Sequence, residues 1–180
     1  MSRTENAPRA QHHRRGRDQE ERVGVEIERK FIIEDVGFLD DIETLATPMR
    51  QGYLTPAGPG PAVRVRLAGP RAFVTIKGPG SDDGTTRAEY EYEVPVADAY
   101  GMLDLCVGGL VEKTRYEVEV DGVEWVIDVF EGSNAGLAIA EIELEDAAQD
   151  VALPGWVGEE VTGDARYYNS ALARDPYPTW

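Results

Sequence analysis

Histidine is missing from the body of this chain. The two it has, His12 and His13, both lie in the N-terminal tail. That absence excludes Ser-His-Asp and Cys-His catalysis and a histidine-ligated metal in the folded part. Cysteine is nearly absent as well. Cys106 stands alone in the apolar run "MLDLCVGGL", so neither an internal disulfide nor a Cys/His zinc spacing can form. Its expected role is that of a small buried apolar residue. No apolar run reaches the ~18 residues of a membrane span. Residues 1–22 lack the apolar centre of a signal peptide, so a cytoplasmic location is expected. Positive charge is also short: 18 Lys and Arg stand against 34 Asp and Glu, for a net charge of −16. Residues 1–22 hold six arginines and four acidic residues, a net +2, which leaves −18 on residues 23–180. Such a body repels nucleic acid and anionic membranes over most of its surface. An anionic ligand would need a local, shielded basic site.

A length of 180 residues and an apolar share of 42% suit one domain with a real core. Residues 1–22 are polar, Arg-rich and without period, and are expected to be a disordered basic tail. From Val23 onward, apolar and polar residues alternate. The alternation predicts strands over 23–33, 50–55, 62–68, 71–77, 86–94, 111–120, 123–130 and 138–145. Asp121-Gly122 between two such runs is a hairpin signal, and "AGPR" at 68–71 is a second tight turn. "GPGSDDGT" at 78–85 is a longer loop. Weaker helical spacing marks 35–45, 96–107 and 164–174, the last with Asp164 as cap. The fold class is mainly β: an antiparallel sheet or barrel with a few helices outside.

Period two then sorts the side chains. Arg64 and Arg66 share one face of their strand, with Val63, Val65 and Leu67 on the other. Phe73, Thr75 and Lys77 oppose Val74 and Ile76. Arg87, Glu89, Glu91 and Glu93 oppose Tyr90 and Tyr92. Lys113 and Arg115 oppose Thr114 and Tyr116. Asp128 opposes Trp125, Ile127 and Val129, and Glu141 and Glu143 oppose Ile142 and Leu144. In "VEIERKF", Glu26, Glu28 and Lys30 alternate with apolar neighbours. A sheet with one wet face produces alternation too. Water-facing strands usually mix their polar residues, however, whereas here bases gather on some strands and acids on others. If the sheet closes, these faces line its interior, where charges need partners. Carboxylates without His or Cys suit hard cations, Mg²⁺, Mn²⁺ or Ca²⁺. The Arg and Lys set suits a compact anion with several phosphate groups. No G-x-x-x-x-G-K-[ST] run is present, so a P-loop is excluded.

The residues "EIERK", "VRVR", "TIK", "TRAEYEYEV", "EKTRY", "WVIDVFEGSNAGLAIAEIELE" and "EVTGDARYYNSALA" occur in the order found in the CYTH superfamily, the triphosphate tunnel metalloenzymes. The chain resembles that family from about Val23 to Ala173, and its ending resembles the short bacterial branch of inorganic tripolyphosphatases. The resemblance implies a single domain over 23–180, an eight-stranded antiparallel closed barrel that holds a triphosphate along its axis. It implies one or two Mg²⁺ or Mn²⁺ ions at Glu26, Glu28, Asp128, Glu141 and Glu143. It implies triphosphate binding by Lys30, Arg64, Arg66, Lys77, Arg87, Lys113 and Arg115, and it admits a homodimer. The expected reaction is hydrolysis of tripolyphosphate to pyrophosphate and phosphate, with Glu28, Lys30 and Glu143 as catalytic residues. Glu89 and Glu91 either orient the water or pair with neighbouring bases. The alternatives on the same fold are a class IV adenylate cyclase, a thiamine or nucleoside triphosphatase, and a non-catalytic polyphosphate-binding module.

Overall fold

The computed structural model describes residues 27–42, 44–56, 58, 60–78, 88–144, 146 and 149–180. The expected tail, Glu26, Arg87 and most of the 78–85 loop lie outside these residues. Eight strands form one antiparallel sheet: β1 (Ile27–Ile32), β2 (Leu45–Tyr53), β3 (Ala62–Ala68), β4 (Arg71–Lys77), β5 (Glu89–Val94), β6 (Val111–Val120), β7 (Val123–Glu131) and β8 (Ala138–Leu144). Their order is β1-β8-β7-β6-β2-β3-β4-β5. Closure of the sheet is absent from this pairing. Among the described residues β5 pairs only with β4, and the free edge of β1 is taken by residues 158–162. There Ile32 N donates to Glu159 O, Val161 N donates to Lys30 O, and Lys30 N donates to Thr162 Oγ1. No described helix is long and apolar enough to cross a membrane.

Asp121 (φ 53°) and Gly122 (φ 80°) make the β6–β7 turn, as a two-residue hairpin connection requires. β2 starts five residues earlier than the alternation at 50–55 predicts. The added part contains Pro48, a residue that central strands exclude. Pairing with β3 begins only at Met49, while pairing with β6 covers Leu45–Gln51. The Pro48 carbonyl accepts from Gly69 N in the β3–β4 turn, so the side where its N–H would point lies past the end of the β3 ladder. The helix expected over 35–45 shrinks to a 3-10 turn at Gly37–Asp41, because residues from Leu45 onward join the sheet.

Three clusters hold the sheet. On its outer side, Phe31, Trp125, Ile127, Ala140 and Ile142 are buried under Phe38 and Trp156. Farther along, Val65, Leu67 and Ala72 pack against Ala99 and Leu103 of α1 (Val96–Leu103). Those two helical residues are spaced i, i+4, as one buried helix face demands. The third cluster lies on the opposite, charged side. Val111, Phe130 and Ile139 share the faces of Lys113, Asp128 and Glu141, and they pack against Leu172 and Ala173. The C-terminal segment thus fills one end of that side. Its expected single helix is split into a 3-10 turn, Ala165–Tyr167, and α2 (Asn169–Leu172), with Tyr168 extended between them. Asp164 caps the first piece by accepting from Arg166 N, as expected.

Candidate active site

Residues directly opposite in an antiparallel pair share a face, so the pairing fixes which charged side chains meet. Tyr53, Arg64, Thr75 and Glu91 form one row across β2–β5, and Gln51, Arg66, Phe73 and Glu93 form the next. Lys77 lies opposite Glu89. Across β6–β8 and β1, Arg115 faces Asp128, Lys30 faces Glu141, and Glu28 faces Glu143. The basic and acidic residues singled out by period two, where described, therefore share one side of the sheet. Glu26 and Arg87 lie outside the described residues.

Each described base on this side holds a carboxylate. Lys30 Nζ reaches Glu28 at 2.9 Å and Glu141 at 2.5 Å. Arg64 and Arg66 reach the same Glu91 at 3.3 and 3.1 Å, and Lys77 reaches Glu89 at 2.7 Å. Glu91 also accepts from Thr75 Oγ1 at 2.6 Å. Arg115 donates to both oxygens of Asp128 at 2.8 Å, and Lys113 Nζ donates to the same carboxylate. Burial alone would raise the Asp128 carboxyl, but Lys113 and Arg115 outweigh it and hold it at about 2. Burial would likewise lower Lys30, yet Glu141 and Glu28 keep it above its ordinary value. Arg66 behaves differently. Burial and the nearby Arg64 and Arg115 charges draw its guanidinium below the ordinary value despite Glu91.

Two features mark the face as a place for an anion. Arg64 Nε and Arg66 Nε are buried donors without an acceptor among the described residues, as is Gln51 Nε2. Unpaired buried donors are costly, and three on adjacent strands point to a missing acceptor. The concentration of Arg64, Arg66 and Arg115, felt by Arg66 itself, favours negative charge in their midst.

The carboxylates divide in two. Asp128 is 1% exposed and held by Lys113 and Arg115. Glu28 and Glu143 stand side by side as like charges, an unfavourable pairing. Glu143 forms no ion pair with a described residue, and Glu28 has only Lys30. Oxygen donors placed this way suit a hard cation. Among the described residues, however, no three acidic side chains already converge on one point.

Charge sorting misses the neutral members of this face. Gln51, Thr75 and Asn169 are all buried or hydrogen-bonded into it: Thr75 links Arg64 to Glu91, and Asn169 Oδ1 lies 3.4 Å from Lys113 Nζ. The parity of Thr75 is readable in its strand, but a lone neutral polar residue carries no signal by type, and Asn169 reaches the face from α2, outside any strand.

Known proteins resemble this chain over most of its length. The inorganic triphosphatase of Acetivibrio thermocellus is 43% identical over 158 residues, 86% of this chain and 97% of that protein. That of Nitrosomonas europaea is 43% identical over 151 residues, covering 82% and 96%. A crystal structure of an inorganic triphosphatase superposes with a TM-score of 0.65 at 40% identity, over 82% of this chain and 93% of the other. The CYTH domain matches residues 24–170, which include every described base and acid on the face, and the chain belongs to the CYTH domain family.

Proposed function

We propose that the protein is a metal-dependent inorganic triphosphatase that cleaves tripolyphosphate to pyrophosphate and phosphate. The observation that carries this reading is the pair of buried, unpartnered guanidinium N–H groups of Arg64 and Arg66, set among further bases on one side of the sheet. Arg64, Arg66, Lys77, Lys113, Arg115 and Lys30 bind the phosphate oxygens, with Arg87 from the undescribed segment. In this reading, water attacks the terminal phosphorus, the bridging P–O bond breaks, and its electron pair leaves on pyrophosphate. Guanidinium and ammonium groups stabilise the charge gathered on the transferred phosphoryl and the leaving group. Glu28 and Glu143, with Glu141 and Glu26, hold Mg²⁺ or Mn²⁺. The ion, when bound, neutralises phosphate charge and acidifies a water. Asp128 instead positions Arg115 and Lys113. The pairing of Glu91 with Arg64 and Arg66, and of Glu89 with Lys77, supports the ion-pairing reading of these carboxylates over a water-orienting one.

The test is phosphate release from tripolyphosphate, ATP and thiamine triphosphate, each with Mg²⁺, Mn²⁺ or EDTA. Metal-dependent turnover highest on tripolyphosphate is expected. Cyclic AMP and pyrophosphate from ATP would replace this reading with a cyclase, and binding without turnover would replace it with a binding module.

A further inference from the structure

Gln51 is 1% exposed, among the most buried polar residues of the described chain. It belongs to β2, opposite Arg66 of β3 on one side and Val111 of β6 on the other. Along the same face of β2 its neighbours are Met49, opposite Lys113, and Tyr53, opposite Arg64. The side chain therefore stands between the Arg64–Arg66 group and the Lys113–Arg115 group. Its amide nitrogen has no acceptor among the described residues. A core glutamine in that state is destabilising, and an apolar residue of the same length would serve the core better. Arg66 faces it across β3 and the apolar Val111 faces it across β6, so neither offers the amide an acceptor. A neutral donor also adds a hydrogen bond there without adding to the repulsion among the clustered guanidinium groups.

We propose that Gln51 is a substrate-binding residue, donating from its amide to a phosphate oxygen of the triphosphate held between Arg66 and Lys113. The inference rests on the triphosphatase reading and adds an uncharged contact to the basic set. It also separates binding from stability, because a buried glutamine at this place is explained by the ligand and not by the fold.

The experiment compares wild type with Gln51→Met and Gln51→Glu. Thermal unfolding is measured without ligand, and tripolyphosphate binding is measured by calorimetry in EDTA, beside KM and kcat in Mg²⁺. Gln51→Met keeps the length and removes the donor. It is expected to unfold at or above the wild-type temperature while binding tripolyphosphate about 10-fold more weakly, the effect of one hydrogen bond to a charged group. The loss should fall on KM. Gln51→Glu turns the donor into a carboxylate that repels the phosphate and competes for Arg66 opposite it, and is expected to bind worse than Gln51→Met. Unchanged affinity in Gln51→Met would overturn the inference, as would a lower unfolding temperature with Gln51→Glu binding as wild type does. Wild-type turnover of tripolyphosphate with unaltered variants would sink the Gln51 role alone. A wild type that neither binds nor cleaves tripolyphosphate would sink the functional reading beneath it.

Discussion

Replacing Asp128 by asparagine tests whether this carboxylate belongs to the ion-pair network or to a metal. The side chain is 2% exposed, as is that of Lys113, and Arg115 is 21% exposed. Asparagine keeps the shape and removes the charge. Arg115 would retain only Glu141, at 3.7 Å. Lys113 would keep only neutral oxygens, that of Asn169 at 3.4 Å among them, so a buried ammonium would lose its counter-ion. Breaking a buried pair from one side costs about 3–5 kcal/mol. For a domain of this size that is a fall in Tm of roughly 6–20 °C. Urea unfolding in EDTA should show the same loss as a lower midpoint at unchanged slope. The double variant Asp128→Asn with Lys113→Met should recover part of it, because it no longer strands the ammonium.

The pH dependence supplies an independent check. Asp128 is depressed from 3.8 to about 2 in the folded protein. Its contribution is present above the unfolded value and is lost as pH falls from about 4 toward 2. The shift corresponds to roughly 2 kcal/mol, which wild type loses in that window and Asp128→Asn does not. The reasoning fails if the variant in EDTA loses under about 1 kcal/mol and excess Mg²⁺ or Mn²⁺ restores its activity. Those results would make Asp128 a metal ligand after all.

Lys30→Ala removes the ammonium between Glu28 and Glu141; kcat on tripolyphosphate should fall ~10²-fold, as when one transition-state contact is removed, and wild-type kcat would reduce "VEIERKF" to a wet strand face. Arg66→Lys keeps the charge but cannot reproduce the planar fork; KM should rise several-fold, and an unchanged KM would remove Arg66 from the substrate. Trp125→Ala empties the outer cluster, where Trp125 packs 5.9 Å from Phe31 and 5.3 Å from Trp156, ring to ring. It should cost about 3–5 kcal/mol with kcat unchanged in the folded fraction, whereas a selective fall in KM or kcat would put Trp125 in the site.

Seven of the eight strands were legible near their observed positions, because their alternation is strict and few residues break it. The departures have identifiable reasons. The strand expected over 50–55 starts at Leu45 and runs through Pro48, which is tolerated because the β3 ladder begins only at Met49, a boundary that sequence does not reveal. Tyr168 broke the last helix because Asn169 and Leu172 answer to Lys113 and to the buried Ile139 cluster, contacts remote in sequence. Within the site, period two sorts the described bases and acids onto one face of each strand, and the register brings those faces together. It could not tell which carboxylates would stay open to a cation. That depends on strand register: Asp128 falls opposite Arg115, whereas Glu143 falls opposite another carboxylate, Glu28. Closure was an expectation from resemblance, and no alternation pattern encodes which edges meet.

The pairing within the charged face also predicts how it should bind. Arg64 and Arg66 both rest on Glu91, so an arriving phosphate competes with that carboxylate for the same N–H groups. Burial alone would raise the Glu91 carboxyl, but Thr75, Arg66 and Arg64 hold it below its ordinary value, so it remains a charged competitor near neutral pH. Glu91→Gln should therefore bind tripolyphosphate more tightly in EDTA, by about 3- to 10-fold, since a neutral amide holds a guanidinium less firmly than a carboxylate does. The gain should shrink as salt is raised, because part of it is the removal of a like charge from the anion's path. Weaker binding in Glu91→Gln would show the opposite: that the carboxylate's main effect is to hold the two guanidinium groups in a receiving geometry, and that its loss lets them disperse.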